Sequence, residues 1–133
     1  MSIFQKIIQW NKERGLLDKP FNHQREVSFI VEELLESTGN HDSITAREKA
    51  EEIATEIVSP DYFDEEKVID AFADIIVYAT GVIAKLGYDP DKVMEEVYKE
   101  IDSRKGKLIN GKFVKDPDAP RYHADFSHCK REN

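Results

Sequence analysis

The sequence predicts an all-α fold of four to five helices packed as a bundle, followed by a short C-terminal hairpin or an irregular tail. Apolar residues recur three and four positions apart in several separate stretches, as on the buried side of an amphipathic helix. Glycine or proline interrupts this pattern between the stretches. Short alternating stretches occur around Asn110 and Gly111, which is typical of a tight hairpin. Helices must therefore form the core.

Glycines delimit the first two predicted helices. Ile3, Ile7 and Ile8 predict a helix of about three turns that ends at Gly15. After a loop containing Pro20, a second helix runs to about Gly39. Its aliphatic side chains cover one arc, and its glutamates cover the other at about 100° per residue. These glutamates are Glu26, Glu32, Glu33 and Glu36.

The third and fourth helices differ in character. Thr45 followed by Glu48 predicts a capping box for a mostly charged helix that ends near Val58 and is either peripheral or subunit-facing. Asp64 can cap the fourth helix, which continues to Gly87. This fourth helix is apolar on nearly every side, and we therefore expect it to be the central and most buried one.

The C-terminal part of the chain contains a fifth helix and then irregular structure. Asp89, followed by a proline, caps this helix, and Gly106 is expected to end it. Asn110 and Gly111 form the turn of the predicted hairpin. Beyond Pro117 the tail has no helical or strand pattern.

The length and charge of the chain limit its organisation and partners. A chain of 133 residues suits one domain. We expect a single helical domain, with its core at about residues 3–106 and a tail over residues 107–133. The net charge of −8 disfavours broad binding to nucleic acid. A small anionic ligand remains compatible with this charge if metal ions intervene.

Two features predict a soluble, cytoplasmic protein without a membrane span. The single Cys129 cannot form an internal disulfide, and Met1–Trp10 has no secretory signal pattern. The longest apolar run, Ile75–Ala84, is about half the roughly 20 residues that cross a bilayer.

Two aspartates in the fourth helix suggest a cation site. Asp70 and Asp74 are four residues apart and share a helix face. Asp74 precedes the apolar residues Ile75–Val77, and an unpaired carboxylate in a buried helix is costly. The compensating cation is either a lysine or arginine from a neighbouring helix or a metal ion held by further acids.

The second helix can supply those further acids. Glu33 and Glu36 are three residues apart, and Glu32 lies at the edge of the same arc. Several carboxylates brought together repel one another unless divalent ions intervene. Oxygen ligands favour Mg²⁺ or Mn²⁺ over zinc. The alternative is that these glutamates form a solvated helix face.

The same acids carry a resemblance to a known family. Glu32-Glu33-Leu34-Leu35-Glu36 resembles the EExxE element of the MazG-like all-α nucleotide pyrophosphohydrolases. Asp70-Ala71-Phe72-Ala73-Asp74 resembles their second acidic element. Many members have ExxD there, whereas Ala71 stands three residues before Asp74 here. This DxxxD form resembles relatives similar to phosphoribosyl-ATP pyrophosphohydrolase, and the segment Lys99–Lys107 resembles the one after their last core helix.

The resemblance implies a fold, a reaction and residue roles. It implies a MazG-like bundle that assembles as a homodimer or homotetramer. Its reaction is Mg²⁺-dependent hydrolysis between the α and β phosphates of a nucleoside triphosphate, giving a monophosphate and pyrophosphate, and Mn²⁺ is a possible substitute. The metal ligands would be Glu33, Glu36, Asp70 and Asp74. Glu32 would orient or deprotonate the attacking water.

A basic stretch could bind the phosphates. Between Arg104 and Lys115 there are five basic residues and no acid. Arg104 and Lys107 are our candidates for contacts with the phosphate chain. The alternative is a basic surface that balances nearby acids.

Other interpretations remain open. The main rival is a non-catalytic helical module that assembles with itself or with another protein. A second rival is an enzyme specific for phosphoribosyl-ATP or for dUTP. Trp10 and Phe29 could stack on a base, although packing is the commoner role for such residues. His123, His128 and Cys129 match no strong zinc motif.

Overall fold

The computed structural model describes residues 1–132 and is mostly helical, with a two-stranded antiparallel sheet near its C-terminal end. These residues belong to two compact units. Pro20–Ile69 forms the central unit, and Met1–Lys19 together with the chain from Asp70 onward forms the terminal unit. The expectation of a single domain stays a prediction. The elements are α1 (Ile3–Glu13), a 3₁₀ turn (Leu16–Asp18), α2 (His23–Ser37), α3 (Ser43–Ile57), α4 (Glu65–Lys85), α5 (Pro90–Ser103), β1 (Gly106–Ile109) and β2 (Lys112–Lys115).

The central unit is built on an antiparallel pair of helices, α2 and α3. Gln24 at the start of α2 donates a hydrogen bond of 2.9 Å to Thr55 near the end of α3. Three alanines of α3, spaced four residues apart, are fully buried: Ala46, Ala50 and Ala54. Because alanine has a small side chain and this spacing keeps the three on one face, the helices can pack closely there.

The start of α3 differs from the expected capping box. Asp42 is the N-cap, and its Oδ1 accepts a hydrogen bond of 2.8 Å from the Thr45 amide. This hydrogen bond holds the pKa of Asp42 below its usual range. The box at Thr45 and Glu48 was a wrong prediction, because the earlier carboxylate already satisfies the free amide and starts the helix at Ser43.

The bounds of α4 agree with the sequence, but its burial does not. Asp64 Oδ1 accepts a hydrogen bond of 3.2 Å from the Lys67 amide, and Gly87 has a φ of 92° after the helix ends. No residue of α4 is buried, and Val77 and Tyr78 are 65% and 77% exposed. The expectation that α4 is the most buried helix is therefore wrong for the single chain. Apolar side chains occur on nearly every side of this helix, so one neighbouring element could not cover them all.

No helix within residues 1–132 combines the length and the apolar character that a bilayer span requires.

In the terminal unit, α1 packs against α5. The Trp10 indole donates a hydrogen bond of 3.0 Å to the Ile101 carbonyl, and its ring meets Phe113 edge-on at 5.7 Å between centroids. Lys6 Nζ lies 2.9 Å from a carboxylate oxygen of Glu95. Trp10 therefore has a packing role that joins α1 to α5 and to β2.

The predicted hairpin is present, and α5 ends before the expected glycine. Asn110 and Gly111 have φ values of 51° and 78°, as a two-residue turn with left-handed backbone requires. Helix α5 ends at Ser103, whereas Gly106 begins β1 opposite Lys115. A Cβ atom at Gly106 would overlap the carbonyl of Val114. Gly106 thus allows close strand pairing and does not terminate a helix.

Candidate functional site

The glutamates of α2 occupy different environments. Glu32 is only 5% exposed, and its Oε1 lies 3.1 Å from Arg47 Nη1 on α3. Glu36 is partly exposed, and Glu33 is exposed. Glu36 lies between the other two around the helix axis, since it is about 40° from Glu32 and 60° from Glu33 at 100° per residue. The three carboxylates therefore share one arc of α2, with Glu32 at its buried edge.

Arg47 of α3 places a positive charge beside this arc of α2. The sequence pattern did not identify Arg47 as a partner of these glutamates. Its Nε lies 3.2 Å from Glu51 Oε1, and its guanidinium carbon lies 5.1 Å from the centre of the Phe29 ring. The contacts with Glu32 and Glu51 are close ion pairs without hydrogen-bond alignment. Phe29 thus packs against the guanidinium, and Glu32 has a protein cation beside it.

The aspartates of α4 are both exposed. Asp70 and Asp74 lie one helical turn apart in the terminal unit. Because Asp74 is exposed, the cost of desolvating it does not demand a cation in the single chain. The expected burial of Asp74 is therefore wrong for the single chain, while the assignment of both aspartates as metal ligands stays a prediction.

Each acidic pair can be tested for its fit to a metal ion. Among residues 1–132, no group of three or more histidine, cysteine, aspartate or glutamate side chains is arranged to hold a metal. Mg²⁺ is commonly bound by one or two carboxylates, with water and substrate phosphates as its other ligands. The Glu33–Glu36 pair in the central unit and the Asp70–Asp74 pair in the terminal unit each offer such oxygen donors. Both pairs fit Mg²⁺ by ligand chemistry.

The basic candidates belong to the terminal unit. Arg104 follows α5, and its Nη2 lies 3.8 Å from Glu100 Oε2. Its buried Nε has no hydrogen-bond partner in the part of the chain described. Lys107 lies in β1 and lines a cleft of 590 Å³ together with Lys105 and Lys115. Asp116 also lines this cleft, so three lysines and one acid leave a net positive charge, which favours an anionic ligand.

The tail is attached to α5 through a buried carboxylate that the sequence pattern does not indicate. Glu96 is 2% exposed, and its Oε1 accepts hydrogen bonds from the Tyr122 hydroxyl at 2.6 Å and the Asp125 amide at 3.0 Å. Lys99 donates to its other oxygen at 3.0 Å. The bond from Tyr122, together with those from Asp125 and Lys99, lowers the pKa of Glu96 to about 2.

The sequence contained no clear signal for the burial of Glu96. Val93, Val97 and Ile101 of α5 cover an arc of about 80°, and Glu96 lies about 60° outside that arc at 100° per residue. The partners of Glu96 come from the tail, which the helical pattern of α5 does not predict.

Two of the three residues considered for zinc, Cys129 and His128, have structural partners. Cys129 is fully buried, and its Sγ lies 3.8 Å from the Asp125 carbonyl. His128 lies 3.9 Å from both Glu96 and Asp125. These contacts belong to the attachment of the tail to α5.

Comparison with known proteins finds no relative of this chain. No protein-family model, curated protein or solved structure matches this chain.

Proposed function

We propose that this chain is a Mg²⁺-dependent nucleoside triphosphate pyrophosphohydrolase that cleaves between the α and β phosphates and releases pyrophosphate. The observation that carries the proposal is the acidic arc of α2, where Glu32, Glu33 and Glu36 lie within about 100° of one another. The resemblance of this arc and of Asp70-Ala71-Phe72-Ala73-Asp74 to the MazG-like acidic elements supports the same reaction.

The proposal gives the acids separate roles. Glu33, Glu36, Asp70 and Asp74 are the metal ligands, and Mn²⁺ can replace Mg²⁺ there. When bound, Mg²⁺ supplies positive charge to the phosphate oxygens and to the attacking water. Glu32 orients that water or accepts its proton. Arg47 beside Glu32 keeps this carboxylate in a fixed orientation, which supports a positioning role.

The basic residues of the terminal unit would bind the phosphate chain. Arg104 and Lys107 are the assigned residues, and the neighbouring Lys105 and Lys115 support the assignment because they line the same cleft as Lys107. Replacement of Arg104 and Lys107 together by alanine should raise KM for the triphosphate. Lys49→Ala on α3 is the control and should leave KM unchanged. An unchanged KM in the double variant would remove both residues from the site.

Pyrophosphate release tests the reaction directly. The wild-type protein is incubated with Mg²⁺ and a panel of nucleoside triphosphates, including dUTP, and with phosphoribosyl-ATP. Glu36→Gln should lower turnover by at least about 10–100-fold, the loss typical of disturbed metal sites. Glu56→Gln changes an exposed glutamate of α3 outside the assigned set and should retain activity. Full turnover in Glu36→Gln would contradict the proposed site. The substrate panel distinguishes a general nucleoside triphosphate pyrophosphohydrolase from an enzyme specific for dUTP or for phosphoribosyl-ATP.

A non-catalytic helical module is the second candidate, and the exposed apolar side chains of α4 favour it. The two candidates differ in their response to metal. A metal site stabilises the folded protein in proportion to binding, whereas an assembly module melts at the same Tm with or without Mg²⁺. Thermal melts over a Mg²⁺ series therefore distinguish them.

The proposal also includes self-association and a cytoplasmic location. A homodimer or homotetramer would cover α4, where six large apolar side chains are exposed by 40% or more. These are Ile69, Ile75, Ile76, Val77, Tyr78 and Val82. The free, buried thiol of Cys129 suits a reducing compartment.

A further inference from the structure

An aromatic pocket lies within the central unit, at the open end of the α2–α3 pair. Its walls come from residues 21–24 at the start of α2 and from the chain that follows α3, including Pro60, Tyr62 and Phe63. Its volume is 430 Å³, which falls within the usual range for pockets that bind small molecules.

Three rings meet in this pocket. Phe21 and Phe63 have ring centroids 5.6 Å apart, and Phe21 stacks on His23 at 6.0 Å with 24° between the planes. Phe21, Tyr62 and Phe63 are each more than half exposed. Adjacent exposed aromatic faces are costly in water and gain contact energy from a planar ring placed against them.

Polar groups lie beside the rings. His23 Nδ1 is buried and has no hydrogen-bond partner within residues 1–132. Lys67 Nζ lies 3.2 Å from the Tyr62 hydroxyl and 5.8 Å from the centre of its ring. The pocket therefore combines stacking surfaces, a polar edge and a cation near its rim, which suits a heteroaromatic ring carried by an anionic molecule.

The position of the pocket on α2 relates it to the acidic arc. His23, whose ring lines the pocket, and Glu33 are 10 residues apart on α2, so they are separated by about 15 Å along the axis and by about 80° around it. The pocket and Glu33 thus lie on neighbouring sides of the same helix. This spacing is comparable with the length of an extended nucleoside triphosphate.

We infer that the Phe21–Phe63 pocket binds the heterocyclic base of the nucleotide. The inference rests on the proposed function, since it places the base of that substrate at the N-terminal end of α2 and its phosphates toward Glu33 and Glu36. The other aromatic candidates already have packing partners: Trp10 meets Phe113, and Phe29 lies beneath Arg47.

Binding of the base and binding of the phosphates can be measured separately. The probes are the four common ribonucleosides, which carry no phosphate, and inorganic tripolyphosphate with Mg²⁺. Saturation-transfer NMR and calorimetry report their Kd values for the full chain. At least one nucleoside should bind to the wild type, and Phe63→Ala should raise its Kd by about tenfold or more, the scale of one lost base–aromatic contact. The Kd of Mg²⁺-tripolyphosphate should not change.

Two further variants make the result decisive. Phe4→Ala removes an aromatic ring of matched exposure on α1, 57% against 54% for Phe63, and should leave nucleoside binding unchanged. Phe63→Trp keeps a stacking surface and should retain binding, which separates loss of the ring from loss of folding. No nucleoside binding to the wild type, or an unchanged Kd in folded Phe63→Ala, would overturn the inference. Absence of pyrophosphate release with intact, Phe63-dependent nucleoside binding would instead reject the proposed reaction and keep the base site.

Discussion

Two glutamates show how the chain accommodates buried negative charge. Glu32 lies beside the guanidinium of Arg47, whereas Glu96 accepts hydrogen bonds from Tyr122, Lys99 and the backbone of the tail. A buried carboxylate without such partners would be strongly destabilising. Removing one of these partners should therefore destabilise the folded protein, because the buried carboxylate loses a compensating interaction.

Arg47→Ala should lower the free energy of unfolding by about 2 kcal/mol, because it removes the guanidinium that lies beside the buried carboxylate of Glu32. Urea denaturation followed by far-UV circular dichroism measures the change. Lys49→Ala is the matched control, since the Lys49–Glu52 pair on the same helix is exposed and should contribute less than about 0.5 kcal/mol. Equal stability of Arg47→Ala and the wild type would show that this ion pair does not hold α2 against α3.

Glu96→Gln should lower the Tm by an amount on the order of 5 °C at neutral pH, because it replaces a charged acceptor with a neutral one. The folded-state pKa of about 2 lies below the ordinary value of 4.5. The stabilisation is therefore complete above about pH 4.5 and is lost as the pH falls toward 2. Thermal melts of both proteins over this interval should converge at the acidic end. If the difference in Tm between the two proteins does not change with pH, the ionised carboxylate of Glu96 is not the source of the stabilisation.

At the level of secondary structure, local signals predicted most of the elements. Asp64, Asp89 and the Asn110-Gly111 turn act through contacts within a few residues, and all three occur as expected. The misplaced boundaries have equally local causes: Asp42 caps α3 earlier, and Gly106 serves strand pairing. What the sequence could not provide was the tertiary partner of a side chain, as with Arg47 for Glu32. The metal ligands and the reaction remain predictions from resemblance and ligand chemistry.

Two glycines of the hairpin, Gly106 and Gly111, are needed for different reasons, and alanine substitutions can distinguish them. Gly106→Ala should separate β1 from β2, because the new Cβ would overlap the Val114 carbonyl. Gly111→Ala should retain the pairing and cost about 1–2 kcal/mol, because a side chain is disfavoured at a φ of 78°. Amide hydrogen exchange within Lys112–Lys115 should accelerate far more in Gly106→Ala. Equal protection in the two variants would refute the steric argument.

At the scale of the whole molecule, the exposed apolar surface of α4 needs an explanation. The proposed homo-oligomer predicts a particle of two or four times 15.4 kDa in light scattering after size-exclusion chromatography. Val77→Asp combined with Tyr78→Asp should reduce the mass to that of one chain, because buried charges oppose association. Leu17→Asp alters an exposed aliphatic residue outside α4 and should leave the mass unchanged. A monomeric wild type would contradict the proposed assembly.

Because the tail buries the thiol of Cys129, the reactivity of this thiol can report on motion of the tail. Cys129 is the single thiol of the chain and is fully buried, and burial raises its pKa. Neighbouring residues hold it in place, since the Asp89 amide donates to the Cys129 carbonyl at 2.7 Å and the Arg131 amide donates to that of Gly87 at 2.9 Å. An alkylating reagent can react only with molecules in which the segment around Cys129 has separated from Gly87 and Asp89. The rate of labelling would therefore report how often this segment opens, without any introduced probe.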